Sequence, residues 1–155
     1  IIFDCDGVIA DSEILSAEVL IAQLAALDLI VTHDEVRRDF LGRSFPTVAA
    51  TIRDRFALPL PEGFEAAYRA RLLDRFAADL RPTPGIAAML AALDVPCCVA
   101  TSSSPQRVAR TLDLLAALSH HGRFALGCYC EDEARCHRSI LRSLLAERGA
   151  DFGIS

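Results

Sequence analysis

Apolar and polar positions divide the chain into a short strand, a helical stretch and a stretch in which helices and strands alternate. The run Ile1-Ile2-Phe3 ends at polar residues and a glycine, which predicts a short buried strand over residues 1–5. Apolar residues then recur at helical spacing as far as residue 80, with Thr32 as a predicted N-cap. The predicted helices cover residues 12–29, 33–41, 45–56 and 64–80.

Helix and strand patterns alternate beyond the linker Arg81-Pro82-Thr83-Pro84-Gly85. The predicted elements are a helix over 86–93, a strand over 95–100, a helix over 106–118, a strand over 124–130 and a helix over 139–148. Gly149 is the predicted stop of the last helix. This alternation predicts a parallel sheet, and the helical stretch 12–80 is interpreted as an insert over the carboxyl ends of the strands, where such sheets bind ligands.

Composition and charge narrow the classes of function. The chain has 155 residues, 52% of them hydrophobic, which suits a packed domain rich in helices. A net charge of -5 argues against a nucleic-acid partner. No apolar run approaches the about 18 residues of a membrane span, and no signal-peptide pattern is present, so no membrane partner is predicted. All 16 basic residues are arginine, which excludes a mechanism that needs a catalytic lysine.

The six cysteines allow two interpretations. They are Cys5, Cys97, Cys98, Cys128, Cys130 and Cys136. Cys97 and Cys98 lie in an apolar run and are predicted to be core residues. The last three, with His137, could hold zinc, but their spacing departs from the usual zinc patterns and a second well-spaced pair is lacking. Reduced thiols are the simpler interpretation, so a cytoplasmic location is predicted.

Asp4 and Asp6 stand two residues apart at the end of the first predicted strand, and phosphoryl transfer explains them best. Asp4 can attack phosphorus and form an aspartyl phosphate. Asp6 can protonate the leaving oxygen and later take a proton from water. Mg²⁺ would reduce the repulsion between the two carboxylates and bind phosphate oxygens, while Gly7 permits a tight turn away from the strand.

Two plainer interpretations of this stretch stay open. In a calcium-binding EF-hand, Asp4, Asp6, Gly7 and Glu13 would occupy positions of the loop, but a helix should precede the loop and Ile2 stands where an acid should. A polar turn without function is the other interpretation. This interpretation leaves the repulsion between the two carboxylates, and their loss of hydration beside a buried strand, without a cation to offset them.

The run Thr101-Ser102-Ser103-Ser104 follows the second predicted strand, over residues 95–100, and precedes a predicted helix. Hydroxyls and amide groups at a helix start can bind an anion, so this run is a candidate phosphate site. An ordinary helix N-cap is the alternative, since serine is common there.

The stretch IIFDCDGVIADSE, followed by the helical insert and by CCVATSSSPQRV, resembles the haloacid dehalogenase superfamily. It is most similar to the branch with a helical cap, which holds phosphatases and β-phosphoglucomutase-like enzymes. The resemblance implies an α/β fold with a Rossmann-like parallel sheet core, incomplete at the C-terminus, over residues 1–11 and 81–155. It also implies an inserted four-helix cap over residues 12–80.

The resemblance also implies roles for particular residues. Asp4 is the expected nucleophile, Asp6 the general acid/base, and both help to bind Mg²⁺, Asp6 through its backbone carbonyl. The residues assigned to substrate binding are Thr101, Ser102, Gly42 and Arg43. Arg43, in a cap loop, could clamp a phosphate or carboxylate in two-pronged fashion, or it is a solvated surface arginine.

The chain departs from the family's pattern after about residue 120. The third-motif lysine is absent, and His137 or Arg138 falls near its position. The acidic fourth motif is also absent, and Asp132 either substitutes as a metal ligand or belongs to a solvated charge run. Without the last strands of the fold, the strand before Asp4 becomes an open edge. We expect a fragment of a longer protein, a frameshifted gene product, or a partner chain that covers this edge.

The predicted function is a Mg²⁺-dependent phosphatase of small phosphate monoesters, such as sugar or glycolate-type phosphates, that works through an aspartyl phosphate. Its expected partner is a small phosphorylated metabolite. Two alternatives are an inactive truncated domain that keeps a binding role and a phosphomutase of the β-phosphoglucomutase type.

Overall fold

A computed structural model describes residues 1–95, 97–101, 103–121, 124–126 and 137–152 of the chain. These residues form three strands and seven helices. In chain order the elements are β1 (Ile2–Asp4), α1 (Ser12–Ala25), α2 (His33–Asp39), α3 (Phe45–Phe56), α4 (Phe64–Asp79), α5 (Ile86–Ala91), β2 (Cys97–Ala100), α6 (Pro105–Ser119), β3 (Phe124–Leu126) and α7 (His137–Glu147). In these ranges no helix combines the length and apolar character that crossing a membrane needs.

The three strands form a parallel sheet in the order β1-β2-β3. Asp4 at the end of β1 is paired with Ala100 at the end of β2, and Cys98 with Ala125 of β3. Because the strands are parallel, the segments that follow β1 and β2 leave the sheet at the same end. The predicted α/β fold with a parallel sheet is therefore confirmed. Open sheets of this kind bind ligands beyond the carboxyl ends of their strands, which here are marked by Asp4 and Ala100.

The chain divides into two compact units. One unit contains Ile1–Asp11 and Leu80–Ser155, and the other contains Ser12–Asp79. The second unit comprises α1 to α4, and its assignment as a substrate-covering cap stays a prediction.

The core of the first unit joins the sheet to α5, α6 and α7. Its buried members are Cys5, Ile9, Ile86, Leu90, Cys97, Val99, Leu112, Leu115, Ala116, Leu118 and Leu145. Cys97 is buried as predicted, whereas Cys98 is half-buried. The core reaches the site through Cys5, which lies between Asp4 and Asp6 in the sequence and is 2% exposed.

The prediction that the first strand is buried is wrong. Ile2 is 74% exposed and Phe3 is half-buried. In the described sheet β1 pairs with β2 on one side and is an edge strand, so its apolar residues are less covered than those of the central strand β2. An apolar run alone does not distinguish an edge strand from a central one.

The second unit has a core of its own, in which α1 packs against α4 and α2. Its fully buried residues include Leu24, Val36 and Ile52. The side-chain amide of Gln23 donates a hydrogen bond of 2.8 Å to the Phe64 carbonyl and so links α1 to the start of α4. This bond joins residues that lie 41 positions apart in the sequence.

Helix boundaries agree with prediction to within a few residues, and α3 agrees at both ends. The largest difference is in α1, which ends at Ala25 rather than near residue 29. Asp28 adopts the left-handed conformation (φ 59°), and the Leu29 N–H donates to the Leu24 carbonyl, so the chain turns there. Gly149 follows α7 with φ 75°, which confirms the predicted stop. The predicted third strand is a strand over Phe124–Leu126, and residues 127–130 lie outside the described ranges.

Thr32 caps α2 as predicted and does so through a complete capping box. Its hydroxyl accepts a hydrogen bond from the Glu35 N–H, and the Glu35 carboxylate accepts one from the Thr32 N–H at 2.8 Å. Arg55 of α3 also donates to the Glu35 carboxylate. Glu35 therefore joins the start of α2 to α3 within the second unit.

We expect Thr32→Ala to lower the free energy of unfolding by about 1 kcal/mol, because the substitution leaves the Glu35 N–H without its cap acceptor. Ser44→Ala is the matched control, since Ser44 occupies the N-cap of α3 without a side-chain cap hydrogen bond. Urea unfolding at neutral pH measures both. Equal losses for the two variants would contradict a specific role for the capping box.

The Thr32 N–H, followed by Arg55 and the Thr32 hydroxyl, lowers the pKa of Glu35 to about 2. Because the folded pKa is depressed, this contribution to stability is present above the unfolded pKa of about 4.3 and is lost as pH falls towards about 2. We expect Glu35→Gln to flatten the fall of stability between pH 6 and pH 3. Urea unfolding across that range tests this, with the exposed loop variant Glu62→Gln as control. A fall as steep in Glu35→Gln as in the wild type would refute it.

Candidate functional site

The segment that leaves β1 turns sharply and holds both aspartates at the carboxyl end of the sheet. The Ile9 and Ala10 N–H groups donate to the Cys5 carbonyl at 3.0 and 2.9 Å, and the Gly7 N–H donates to the Ala10 carbonyl at 2.8 Å. Gly7 adopts φ 73°, a conformation that residues with a Cβ rarely take. The predicted need for a glycine at this turn is therefore confirmed.

Asp4 is the last residue of β1, and its side chain is exposed. Its Oδ1 accepts a hydrogen bond of 2.7 Å from the Cys5 N–H. This contact orients the carboxylate from its own backbone and leaves the second oxygen on the exposed side chain for other contacts. An exposed, oriented carboxylate is suited to attack an electrophile that arrives from solvent.

Asp6 lies opposite the start of α6, and both of its oxygens contact that segment. Arg107 Nη2 donates to Asp6 Oδ1 at 2.8 Å, and the Ser103 hydroxyl donates to Asp6 Oδ2. The Arg107 and Asp6 side chains are 27% and 25% exposed, so the ion pair is half-buried and incompletely screened by solvent. The structure thus brings Asp6 and the predicted serine run together across 97 residues of sequence.

The serine run combines a helix cap with contacts to the site. Ser104 is the N-cap of α6, and its Oγ accepts a hydrogen bond of 3.4 Å from the Arg107 N–H. Thr101 is exposed, and its Oγ1 accepts a hydrogen bond of 3.1 Å from the Ser103 N–H. The plain N-cap interpretation therefore holds for Ser104, whereas Ser103 contacts Asp6. Ser102, a predicted substrate-binding residue, lies outside the described residues.

Arg107 is the site residue that the sequence reasoning missed. Its partner Asp6 stands 101 positions earlier, so no local spacing rule indicates the pair. The available signal is an arginine in the first turn of the helix that follows a predicted anion-binding run.

Burial raises the pKa of the Cys5 thiol to about 11, and the negative charges of Asp6 and Asp4 add to this effect. The thiol is therefore protonated at neutral pH and is a poor nucleophile. Of the side chains on this turn, the aspartates are the ones chemically suited to attack phosphorus.

Gly42 and Arg43, the other predicted substrate-binding residues, belong to the second unit and are exposed. Gly42 has φ 71°, the Arg43 N–H donates to the Phe40 carbonyl at 3.3 Å, and the Arg43 guanidinium donates to the Arg38 carbonyl at 3.5 Å. The loop is thus a tight turn with its arginine at the surface. Its contact with a substrate stays a prediction.

The oxygen donors at the end of β1 suit Mg²⁺, which is commonly bound through one or two carboxylates and keeps several waters. Asp4 supplies such a carboxylate, whereas both carboxylate oxygens of Asp6 accept hydrogen bonds from Arg107 and Ser103. Among the described residues there is no group of three or more His, Cys, Asp or Glu that could hold a metal ion. The EF-hand interpretation fails, because a strand rather than a helix precedes Asp4.

Several further candidates fall outside the described part of the chain. They are the zinc candidates Cys128, Cys130 and Cys136, the alternative metal ligand Asp132, and the side chains of His137 and Arg138. The backbone of the last two residues begins α7.

The chain is similar to several known proteins in sequence and in fold. The chain is 23% identical over 121 residues to a 6-phosphogluconate phosphatase of Escherichia coli. The matched stretch covers 77% of this chain and 55% of that protein. A solved haloacid dehalogenase-like protein of unknown function from Agrobacterium tumefaciens has a TM-score of 0.70 and 26% identity, over 78% of this chain and 54% of its own. A haloacid dehalogenase family hydrolase from Deinococcus radiodurans, solved with phosphate and sodium, has a TM-score of 0.65 and 23% identity, over 94% of this chain and 66% of its own.

A different family model, described as the active DUF488-N3 subclade, matches residues 100–149. This match covers less than half of the chain and includes Thr101, Ser103 and Arg107 but not the two aspartates.

The chain thus spans 55% and 54% of the lengths of the E. coli and Agrobacterium proteins. The chain is similar in sequence and fold to haloacid dehalogenase-like proteins.

Proposed function

We propose that this chain contributes the nucleophile and the general acid/base of a Mg²⁺-dependent phosphatase that acts on small phosphate monoesters. The observation that carries the proposal is the position of Asp4 and Asp6 at the carboxyl end of β1, with Asp6 bonded to Ser103 and Arg107 of the next strand-helix junction. The phosphatase name of the E. coli relative and the phosphate bound by the Deinococcus hydrolase support this class of substrate.

In the first step, the Asp4 carboxylate attacks phosphorus of the ester. The bond between phosphorus and the ester oxygen breaks, its electron pair goes to that oxygen, and a proton from Asp6 completes the alcohol. Arg107 donates to Oδ1 of Asp6 and the Ser103 hydroxyl donates to Oδ2, so these two contacts fix the position of the carboxyl group that transfers the proton. The product on the protein is an aspartyl phosphate at Asp4.

In the second step, water attacks phosphorus of the aspartyl phosphate. Asp6 takes the proton from that water, the bond between phosphorus and the Asp4 oxygen breaks, and inorganic phosphate leaves with Asp4 again a carboxylate. The same residue thus serves as acid and then as base, which returns the site to its starting state.

Asp4 and Asp6 would hold Mg²⁺, which when bound neutralises negative charge on phosphate oxygens. Arg107 and Ser103 already donate hydrogen bonds to the Asp6 carboxylate. The proposed Mg²⁺ ligand from Asp6 is therefore its backbone carbonyl, as the resemblance implies. Gly42 and Arg43 are proposed substrate contacts, in which Arg43 would bind a phosphate or carboxylate in two-pronged fashion. The proposed substrates are sugar or glycolate-type phosphates.

We expect Asp4→Asn to lower phosphate release from a panel of phosphomonoesters by roughly 10³-fold or more, because an amide cannot act as the nucleophile. Asp28→Asn is the matched control, since Asp28 is exposed and in the left-handed conformation that asparagine tolerates. EDTA should abolish wild-type turnover, and added Mg²⁺ should restore it.

Three outcomes would contradict the proposal. Turnover that is equal in wild type and Asp4→Asn would exclude Asp4 as the nucleophile. Turnover that persists in EDTA would exclude the metal dependence. Absence of turnover from folded wild-type protein would favour the alternative of an inactive domain.

A further inference from the structure

The two aspartates of the site need a positive charge close to them. A phosphate ester adds further negative charge, and like charges in a partly desolvated site repel strongly. The chain contains no lysine, so its permanent side-chain cations are all arginines. Arg107 is bonded to Asp6 and therefore already brings such a cation to the end of β1.

Local structure fixes the position of Arg107. Its N–H is bonded to the N-cap Ser104, and Pro105 occupies the first turn of the same helix, so the backbone that carries the guanidinium is constrained. The preceding residue Ser103 donates to the second oxygen of Asp6. One end of α6 therefore holds the Asp6 carboxylate from two sides.

A guanidinium carries five N–H donors in one plane and can serve more than one oxyanion. Its contact to Asp6 Oδ1 is made through Nη2, and the side chain is 27% exposed, so solvent and small solutes reach the pair. Phosphate and carboxylate oxygens are the acceptors that this planar fork matches best.

We propose that Arg107 binds an oxygen of the substrate's phosphate while it holds Asp6, and so joins the general acid/base to the group that is transferred. This inference rests on the proposed function only in that phosphate binds at this site. Arg107 is a positioning residue for Asp6 and a binding residue for phosphate. Its charge and its planar shape both contribute.

The test is the affinity for inorganic phosphate, measured by titration calorimetry in the presence of Mg²⁺. We expect Arg107→Ala to raise the Kd for phosphate about tenfold or more, because a charged, forked contact is lost. Arg107→Lys should recover part of the affinity, since it keeps the charge but not the fork. Arg107→Gln, which keeps an N–H donor but no charge, should not recover it.

Arg110→Ala is the matched control, because Arg110 is an exposed arginine one turn further along α6. We expect its Kd to stay within about twofold of wild type. Unchanged phosphate affinity in Arg107→Ala, or no binding by the wild type, would overturn the inference. If Arg107→Ala does not fold, the comparison of Arg107→Lys with Arg107→Gln decides, and equal affinity of those two would also overturn it.

Turnover and binding separate this inference from the proposed function. If phosphate affinity depends on Arg107 but turnover does not depend on Asp4, the inference about Arg107 is supported and the proposed phosphatase function is contradicted. If turnover depends on Asp4 but phosphate affinity is unchanged in Arg107→Ala, the proposed function is supported and only the role of Arg107 is contradicted.

Discussion

The ion pair between Arg107 and Asp6 is the contact on which the candidate site depends. It joins the turn after β1 to the first turn of α6, two segments that the parallel register of β1 and β2 brings to the same end of the sheet. Because the pair is half-buried, loss of either partner would leave a poorly solvated charge next to Asp4. The sheet register therefore determines the electrostatics of the site, and the ion pair determines where the Asp6 carboxylate lies.

Local signals predicted much of this fold. Thr32 and Glu35 stand at the spacing of a capping box, and Phe45–Phe56 is bounded by a polar N-cap and a loop that contains proline and glycine, so these starts and stops are visible in the sequence. The end of α1 was not predicted, because apolar residues at helical spacing continue through Leu27 and Leu29 while Asp28 turns the chain. No glycine or proline indicates that turn.

Long-range features of the site were harder to predict. The aspartates and the serine run are each predicted from sequence to act on or bind phosphate, and each follows a predicted strand. The exposure of Ile2 depends on which strands flank β1, and the pairing of Arg107 with Asp6 depends on the register of β1 and β2. Neither follows from the local pattern, since both are set by the order and alignment of the strands.

The central claim is that Asp4 is phosphorylated during turnover. The most direct measurement is to quench the protein with acid during hydrolysis of a phosphomonoester, reduce it with borohydride, and map the modified residue by mass spectrometry. The account predicts reduction of an acyl phosphate at Asp4, which yields homoserine there, and no such product in Asp4→Asn. Turnover without a modified Asp4, or with the modification at another residue, would contradict it.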